Sequence, residues 1–381
     1  MSAFDWISSP ADLEQLIDEL VESPEYALDT EFHRERTYYP RLALVQVATA
    51  QRVALVDPLA VDVSALQRAF EAPGLCVMHA SSQDLEILLL ECSCLPSRIF
   101  DTQVAALFVG YRTASLGKLV EDLLGVTLDK SSQLSDWTRR PLPESDQRYA
   151  ASDVTHLIDL KTALTERLEA AGRLPWAEEE IERLRTKDRM RPDPDTLWWK
   201  LRGKSKLGGR ARGVAQALAR WRDELAERQN RPPRTVLSDM ALLSLAQRPP
   251  RAAQDLRGIR NFDLRRFKHT DELLDTIARG AKLSKDNLKL PPKKPANLPE
   301  IDGVASLCIA WLTKRARDEG IDPSVLGTRD DVTSLVLDKD SRLARGWRHS
   351  LVGRELRSII DGSAALRAIG TDLELLDRTT P

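Results

Sequence analysis

Short apolar segments rich in β-branched residues are confined to the front of this 381-residue chain, and that confinement limits its fold more than any other feature. "YALDTEF" (26–32), "LALVQVAT" (42–49), "RVALVDP" (52–58) and "LCVMHA" (75–80) read as strands. The first three follow one another with short gaps, which favours antiparallel pairing. "DVSALQRAFE", "SQDLEILLLEC", "TQVAALFVG" and "SLGKLVEDLLG" carry apolar residues at helical spacing, and a long helical stretch is expected from about Glu144 to Ala171. The front is therefore an α/β domain, a mixed sheet flanked by helices. From about residue 211 onward strand patterns vanish, and the remainder reads as all-α.

That remainder has an internal echo. Trp221, Ala226, Pro233 and Leu245 recur 90 residues later as Trp311, Ala316, Pro323 and Leu335, so two helical blocks look like diverged copies. Between them "LSKDNLKLPPKKPANL" (283–298) is rich in Pro and Lys and lacks apolar periodicity, the mark of an extended linker. The expected organisation is an α/β domain at 1–172, a basic connecting segment at 173–210, and helical-bundle domains at 211–290 and 299–378 around a linker at 291–298.

The net charge of −2 conceals an asymmetry. Residues 201–290 hold 21 Lys/Arg against 10 Asp/Glu, a net of +11, and the rest of the chain holds 35 against 48, a net of −13. An acidic part joined to a basic part suggests a metal-binding or catalytic module beside one that binds a polyanion. The four cysteines form no CxxC pair and suit a reducing cytosol, which argues against structural zinc. "MSAFDWISSP" has neither a basic head nor an apolar run, and no apolar segment approaches the roughly 20 residues of a membrane helix. A cytoplasmic protein with no membrane partner is expected, and three modules in one chain make a monomer reasonable.

The acidic part contains an unusual pairing. Residues two apart in a strand face the same way, so Asp29 and Glu31 project together from "ALDTEF". Like charges at that spacing repel, and partial burial raises at least one pKa unless a positive charge sits between them. A divalent cation resolves the conflict; an exposed edge strand would avoid it. Asp84 follows the strand "LCVMHA", with Ser81 or Ser82 able to cap the helix that begins there. Tyr149 and Asp153, four apart in "YAASDV", share one face of a helix.

The set Asp29-x-Glu31, Asp84 and Tyr149-x-x-x-Asp153 resembles the three motifs of the DEDD 3′→5′ exonucleases. It resembles the branch with Tyr four residues before the last Asp; the other branch has His five before it, where this chain has Arg148. "LDTEFHRERTYYPRLALVQVA", "HASSQDLEIL", "IFDTQVAA" and "SDWTRRPLPESDQRYAASDVTHL" closely resemble the ribonuclease D family. "ALARWRDELAERQNRPPRTVLSDMALLSLAQRPP" with "LRGIRNF" resembles its helicase-and-RNase-D C-terminal (HRDC) domain, and "RGWRHSLVGRELRSIIDG" the diverged second copy. The resemblance covers nearly the whole chain. It implies a ribonuclease-H-like exonuclease domain followed by two all-α HRDC domains, with the four acids holding two divalent ions, Mg²⁺ or Mn²⁺. The implied activity is 3′-to-5′ exoribonuclease, releasing nucleoside 5′-monophosphates and trimming 3′ ends of tRNA precursors and other structured RNAs.

On this reading Asp29, Glu31 and Asp153 hold the ion on the nucleophile side. Asp29, with or without Asp84 through water, holds the one at the leaving group, and which carboxylate bridges is left open. Tyr149 orients the attacking water through its hydroxyl, since a phenol pKa near 10 argues against deprotonation at neutral pH. His156, three residues past Asp153, receives no role as base. Thr30, Phe32 and His79 are candidate substrate contacts, although Phe32 equally suits sheet packing and His79 the end of a strand. Arg202, Lys204, Lys206, Arg210 and Arg212, with Arg257, Arg260, Arg265, Arg266 and Lys268, are the expected electrostatic footprint for RNA. Trp221 and Trp311 are read as core anchors. Two other readings stay open: the same chemistry on DNA, and a non-catalytic RNA-binding scaffold with a relic nuclease fold.

Overall fold

A computed structural model describes residues 4–128, 135–189, 191–259, 262–264, 267–292 and 298–377. The chain forms two compact units, both discontinuous in sequence: Met1–Glu31 with Leu42–Lys187 and Lys294–Pro381, and Phe32–Arg41 with Asp188–Lys293.

The first unit is built on a six-stranded sheet of β1 (Phe4–Ile7), β2 (Glu25–His33), β3 (Arg41–Ala48), β4 (Val53–Val56), β5 (Leu75–Met78) and β6 (Arg98–Asp101), in the order β1-β4-β3-β2-β5-β6. β1/β4, β2/β5 and β5/β6 are parallel and β3/β4 antiparallel, so the sheet is mixed. All of β3 but its first residue is buried, as expected of a strand covered on both faces. Helix α1 (Pro10–Glu22) shows how local chemistry starts an element. The Ser9 hydroxyl accepts the Asp12 N–H at 3.2 Å, Pro10 opens the first turn, and Leu13, Leu16, Ile17 and Leu20 bury one face. There follow α2 (Gln67–Glu71), α3 (Asp84–Cys92), α4 (Thr102–Ala106), α5 (Leu116–Leu124), α6 (Glu144–Thr155), α7 (Leu157–Ala170) and α8 (Leu174–Arg185).

The expected single helix from Glu144 to Ala171 is two, because His156 leaves the helical region (φ −108°, ψ 4°). The segment 173–210, expected to be a connector, opens with α8. β1 and β6, four residues each, carried too short an apolar signal to be read as strands.

In the second unit, α9 (Gly209–Arg228), α10 (Pro233–Val236), α11 (Asp239–Gln247) and α12 (Thr270–Gly280) surround a core that includes Trp198, Leu218, Trp221, Leu242 and Ile277. A β-carbon on Gly213 would fall 2.4 Å from the Gly280 carbonyl oxygen, so α9 and α12 cross where both lack side chains. The segment 32–41 belongs to this unit. The Tyr38 hydroxyl donates to Asp223 at 3.0 Å, the Tyr39 hydroxyl donates to Glu227, and the Arg191 guanidinium lies 4.9 Å over the Tyr38 ring.

The rear of the first unit holds α13 (Leu298–Asp318), α14 (Pro323–Leu326), α15 (Arg329–Val336), α16 (Gly346–Arg348) and α17 (Arg354–Ile360). α14 and α15 begin 90 residues after α10 and α11, matching the sequence echo. Trp221 donates from its indole to Glu272 at 3.2 Å and Trp311 likewise to Glu355 at 2.7 Å, both rings being core residues. The all-α expectation fails at the end of the chain. β7 (Ala364–Ile369) and β8 (Asp372–Asp377) form an antiparallel hairpin around Gly370, whose φ of +57° suits a residue without a side chain. Their Ala, Leu, Arg and Glu residues favour helix, and only pairing across the turn makes them strands.

Candidate active site

β2 and β5 run parallel with Ala27 opposite Val77, so β5 leaves the sheet beside the point where Asp29 emerges. The chain turns through His79–Gln83 and re-enters helix at Asp84, in the first turn of α3. Neither Ser81 nor Ser82 caps that helix, contrary to expectation. Gln83 is the cap residue and offers no side-chain bond, while the Ser81 hydroxyl donates to Asp101 at 2.7 Å. Asp84 is buried and accepts a hydrogen bond from the Thr30 hydroxyl.

Tyr149 and Asp153 ride on α6. The approach to that helix is anchored by Arg140, which donates to both Asp57 oxygens at 2.6 Å and to the Ala43 carbonyl at 2.7 Å. Asp57 is itself buried, so this fork is a strong, oriented contact. Trp137, buried three residues earlier, lies 6.1 Å from the Tyr149 ring between centroids.

The four acids act on one another. Asp29, Glu31 and Asp153 keep some surface open, yet protein surrounds them closely enough to disfavour their charged forms. Burial, then the charges of Asp84, Asp153 and Glu31, hold the Asp29 pKa well above the usual carboxylate range. Burial, then Asp153 and Asp84, push Glu31 up to about 8, and burial lifts Asp153 to about 7. Among the described residues, no cationic side chain figures among the causes of these three shifts. Among the described residues no three potential ligands close into a finished cation cage. The acids stand within electrostatic reach of one another. An all-oxygen, anionic, partly desolvated set fits a hard divalent cation such as Mg²⁺ or Mn²⁺.

The other expected contacts fare variously. Thr30 is buried against Asp84, and His79 is held by Thr102, its Nδ1 lying 2.9 Å from the Thr102 hydroxyl. Phe32 is half-buried with the Arg34 guanidinium 5.1 Å from its ring centre. Arg202, Lys206, Arg210, Arg257 and Lys268 are exposed. Lys204 donates to the Trp199 carbonyl, and Arg212 to that of Leu207 at 2.8 Å, so both bind their own unit. Arg260, Arg265 and Arg266 lie outside the described residues. The structure adds Arg140, Asp57 and Trp137, which no local pattern marked because their partners are distant in sequence.

Residues 4–169 match the 3′-5′ exonuclease family and residues 211–278 the HRDC domain. Ribonuclease D of Gluconacetobacter diazotrophicus is 35% identical over 374 residues, covering 96% of this chain and 95% of that one. Its counterpart from Granulibacter bethesdensis is 34% identical over 381 residues, covering 97% and 96%. The crystal structure of Escherichia coli RNase D, titled an exoribonuclease involved in structured RNA processing, superposes with a TM-score of 0.84 at 29% identity over 94% of this chain and 99% of that one. Over nearly its full length, with a 3′-5′ exonuclease domain and an HRDC domain in order, this chain belongs to the ribonuclease D family of hydrolytic 3′-5′ exoribonucleases.

Proposed function

We propose that the chain removes nucleotides one at a time from RNA 3′ ends by two-metal hydrolysis, releasing nucleoside 5′-monophosphates. The physiological substrates on this reading are tRNA precursors and other structured RNAs with accessible 3′ ends. What supports it is the gathering of Asp29, Glu31, Asp84 and Asp153 closely enough for Asp84, Asp153 and Glu31 to raise the Asp29 pKa, in a chain whose residues 4–169 match the 3′-5′ exonuclease family. Bound there, two divalent ions would supply an activated water on one side of the phosphate and neutralise charge at the leaving 3′-oxygen on the other.

The chain's own groups do the rest. Asp29, Glu31 and Asp153 hold the nucleophile-side position, and Asp29, with or without Asp84 through water, the leaving-group side. Tyr149 directs its hydroxyl at the water, with Trp137 beside its ring fixing the ring's place. Exposed Arg202, Lys206, Arg210, Arg257 and Lys268 bind phosphates without reading sequence, so affinity should fall steeply with salt. The block at 299–378 is a diverged HRDC-like domain on this reading, its support being the 90-residue offset of α14 and α15. The enzyme works as a cytoplasmic monomer.

The test is direct. End-labelled RNA and DNA of matched sequence are incubated with the protein in Mg²⁺, with a chelator control. Stepwise shortening of RNA from its 3′ end supports the proposal, equal loss of both polymers redirects it to DNA, and shortening of neither defeats it. A tRNA precursor with a 3′ trailer, trimmed to the mature end and no further, supports the substrate assignment.

A further inference from the structure

We propose that Asp101 is a positioning residue that sets the place of Asp84 by gripping the turn between β5 and α3; this rests on the metal-dependent reading above. Asp101 is fully buried and its two oxygens serve different elements. Oδ1 accepts the N–H groups of Gln103 at 2.9 Å and Val104 at 3.0 Å, which caps α4, and the Ala80 N–H at 3.3 Å. Oδ2 serves Ser81 alone, accepting its N–H at 2.8 Å and its hydroxyl at 2.7 Å. Oδ1 thus caps α4 and reaches the turn, while Oδ2 holds the turn at Ser81.

Thr102 grips the same turn one step earlier. Its hydroxyl donates to the Met78 carbonyl at 3.1 Å and meets His79 Nδ1 at 2.9 Å. The pair Asp101–Thr102 therefore touches every residue from Met78 to Ser81. The turn needs such a grip because Ala80 sits at φ +55°, a left-handed conformation that a residue with a β-carbon adopts reluctantly. Ser81 then passes the restraint forward: its carbonyl accepts the Leu85 N–H at 2.9 Å, closing the first turn of α3 around Asp84. With no side-chain cap at Gln83, that bond and the one from the Ile87 N–H to the Gln83 carbonyl at 3.1 Å tie the helix start to the turn. The line runs from Asp101 through Ser81 to the backbone that carries Asp84.

The experiment measures Mn²⁺ binding to the RNA-free protein by the paramagnetic resonance of free Mn²⁺, with thermal melting alongside. Asp101→Asn offers one oxygen and one N–H₂ where five donors converge, and should weaken Mn²⁺ binding about 10–100-fold, the usual effect of losing a group that orients a ligand. Ser81→Ala removes a single donor and should weaken it about 3–10-fold. Ser82→Ala, exposed and outside the grip, should match wild type. In an Asp84→Ala background, Asp101→Asn should add no further loss, because the residue through which it acts is gone; a merely structural role would add its effect in both backgrounds. Folded Asp101→Asn or Ser81→Ala protein with wild-type Mn²⁺ affinity overturns the proposal, and if Asp101→Asn does not fold, Ser81→Ala decides alone. Wild-type protein that neither binds Mn²⁺ nor shortens RNA would instead defeat the metal-dependent reading, and this proposal with it.

Discussion

Two clusters of carboxylates in the first unit are treated in opposite ways. Around Glu180 on α8, charge is matched. Arg348, 2% exposed, donates to Glu180 at 2.6 Å and to Glu179 at 2.8 Å, Arg342 reaches Glu180 at 3.3 Å, and Arg183 adds a further bond. Burial raises the Glu180 pKa, but the hydrogen bond from Arg183 and the charges of Arg348, Arg183 and Arg342 outweigh it, and the result is lowered. Trp176 on α8 stacks on Trp347 at 4.6 Å, so α8 is fastened to the rear helices by rings as well as charges. Around Asp29 the neighbouring acids raise one another's pKa, Asp29 well above the usual carboxylate range and Glu31 to about 8. A fold that neutralises Glu180 with three arginines has the means to do the same for Asp29. Holding the Asp29 cluster with raised pKa values costs stability, which a bound divalent cation would offset.

The comparison breaks most visibly by removing one acid from each place. Asp29→Asn should lower the rate of RNA shortening by more than about a thousandfold, in the range of losing a charge-stabilising group, while the metal-free melting temperature holds or rises. Glu180→Gln should do the reverse. It leaves Arg348 buried with less compensation, so unfolding should be easier by about 3–5 kcal/mol in denaturant titrations while the rate per folded molecule stays near wild type. If Glu180→Gln lowers the rate as deeply as Asp29→Asn in folded protein, the division between a catalytic and a fastening cluster is wrong.

A smaller effect sharpens the catalytic side. Tyr149→Phe keeps the ring against Trp137 and removes only the hydroxyl. Turnover should fall about a hundredfold, with Mn²⁺ affinity and the RNA KM within about twofold of wild type. A parallel loss of Mn²⁺ affinity would make Tyr149 part of the ligand set.

Much of the acidic cluster is legible in the chain because its signals are local. Asp29 and Glu31 stand out as two charges at strand spacing in apolar surroundings, and Tyr149 and Asp153 as a pair at helical spacing. The fastening cluster was invisible, since Arg342 and Arg348 meet Glu180 across more than 160 residues and each looks like an ordinary surface charge on its own helix. Asp101 falls between: "IFDTQVAA" drew notice as a motif, yet its partners Ala80 and Ser81 lie about twenty residues back. The hairpin of β7 and β8 went unread because local propensity pointed to helix and tertiary pairing overruled it.

The smallest predicted effect lies in how pH moves the stability of metal-free protein, and its sign separates the two clusters. An acid whose folded pKa exceeds its unfolded value holds more protons when folded, so stability falls as pH rises through that interval. Glu31 at about 8 and Asp153 at about 7 place this fall between roughly pH 4 and 8. Glu180, lowered, and Asp331, held at about 2 chiefly by Arg342 against the upward push of burial, contribute stability above about pH 4 and lose it only in acid. In chelator, then, the melting temperature should decline steadily from about pH 5 to about pH 8. Mg²⁺ or Mn²⁺ should remove the decline, because ions bind best once the acids have ionised. Glu31→Gln should flatten the chelator curve without metal, whereas Arg342→Met should leave its neutral slope intact and make the loss in acid shallower, because the pKa values of Asp331 and Glu180 relax toward their unfolded values. A chelator curve that is flat or rising across that range would mean the acids around Asp29 are already compensated within the protein, and the contrast with Glu180 would vanish.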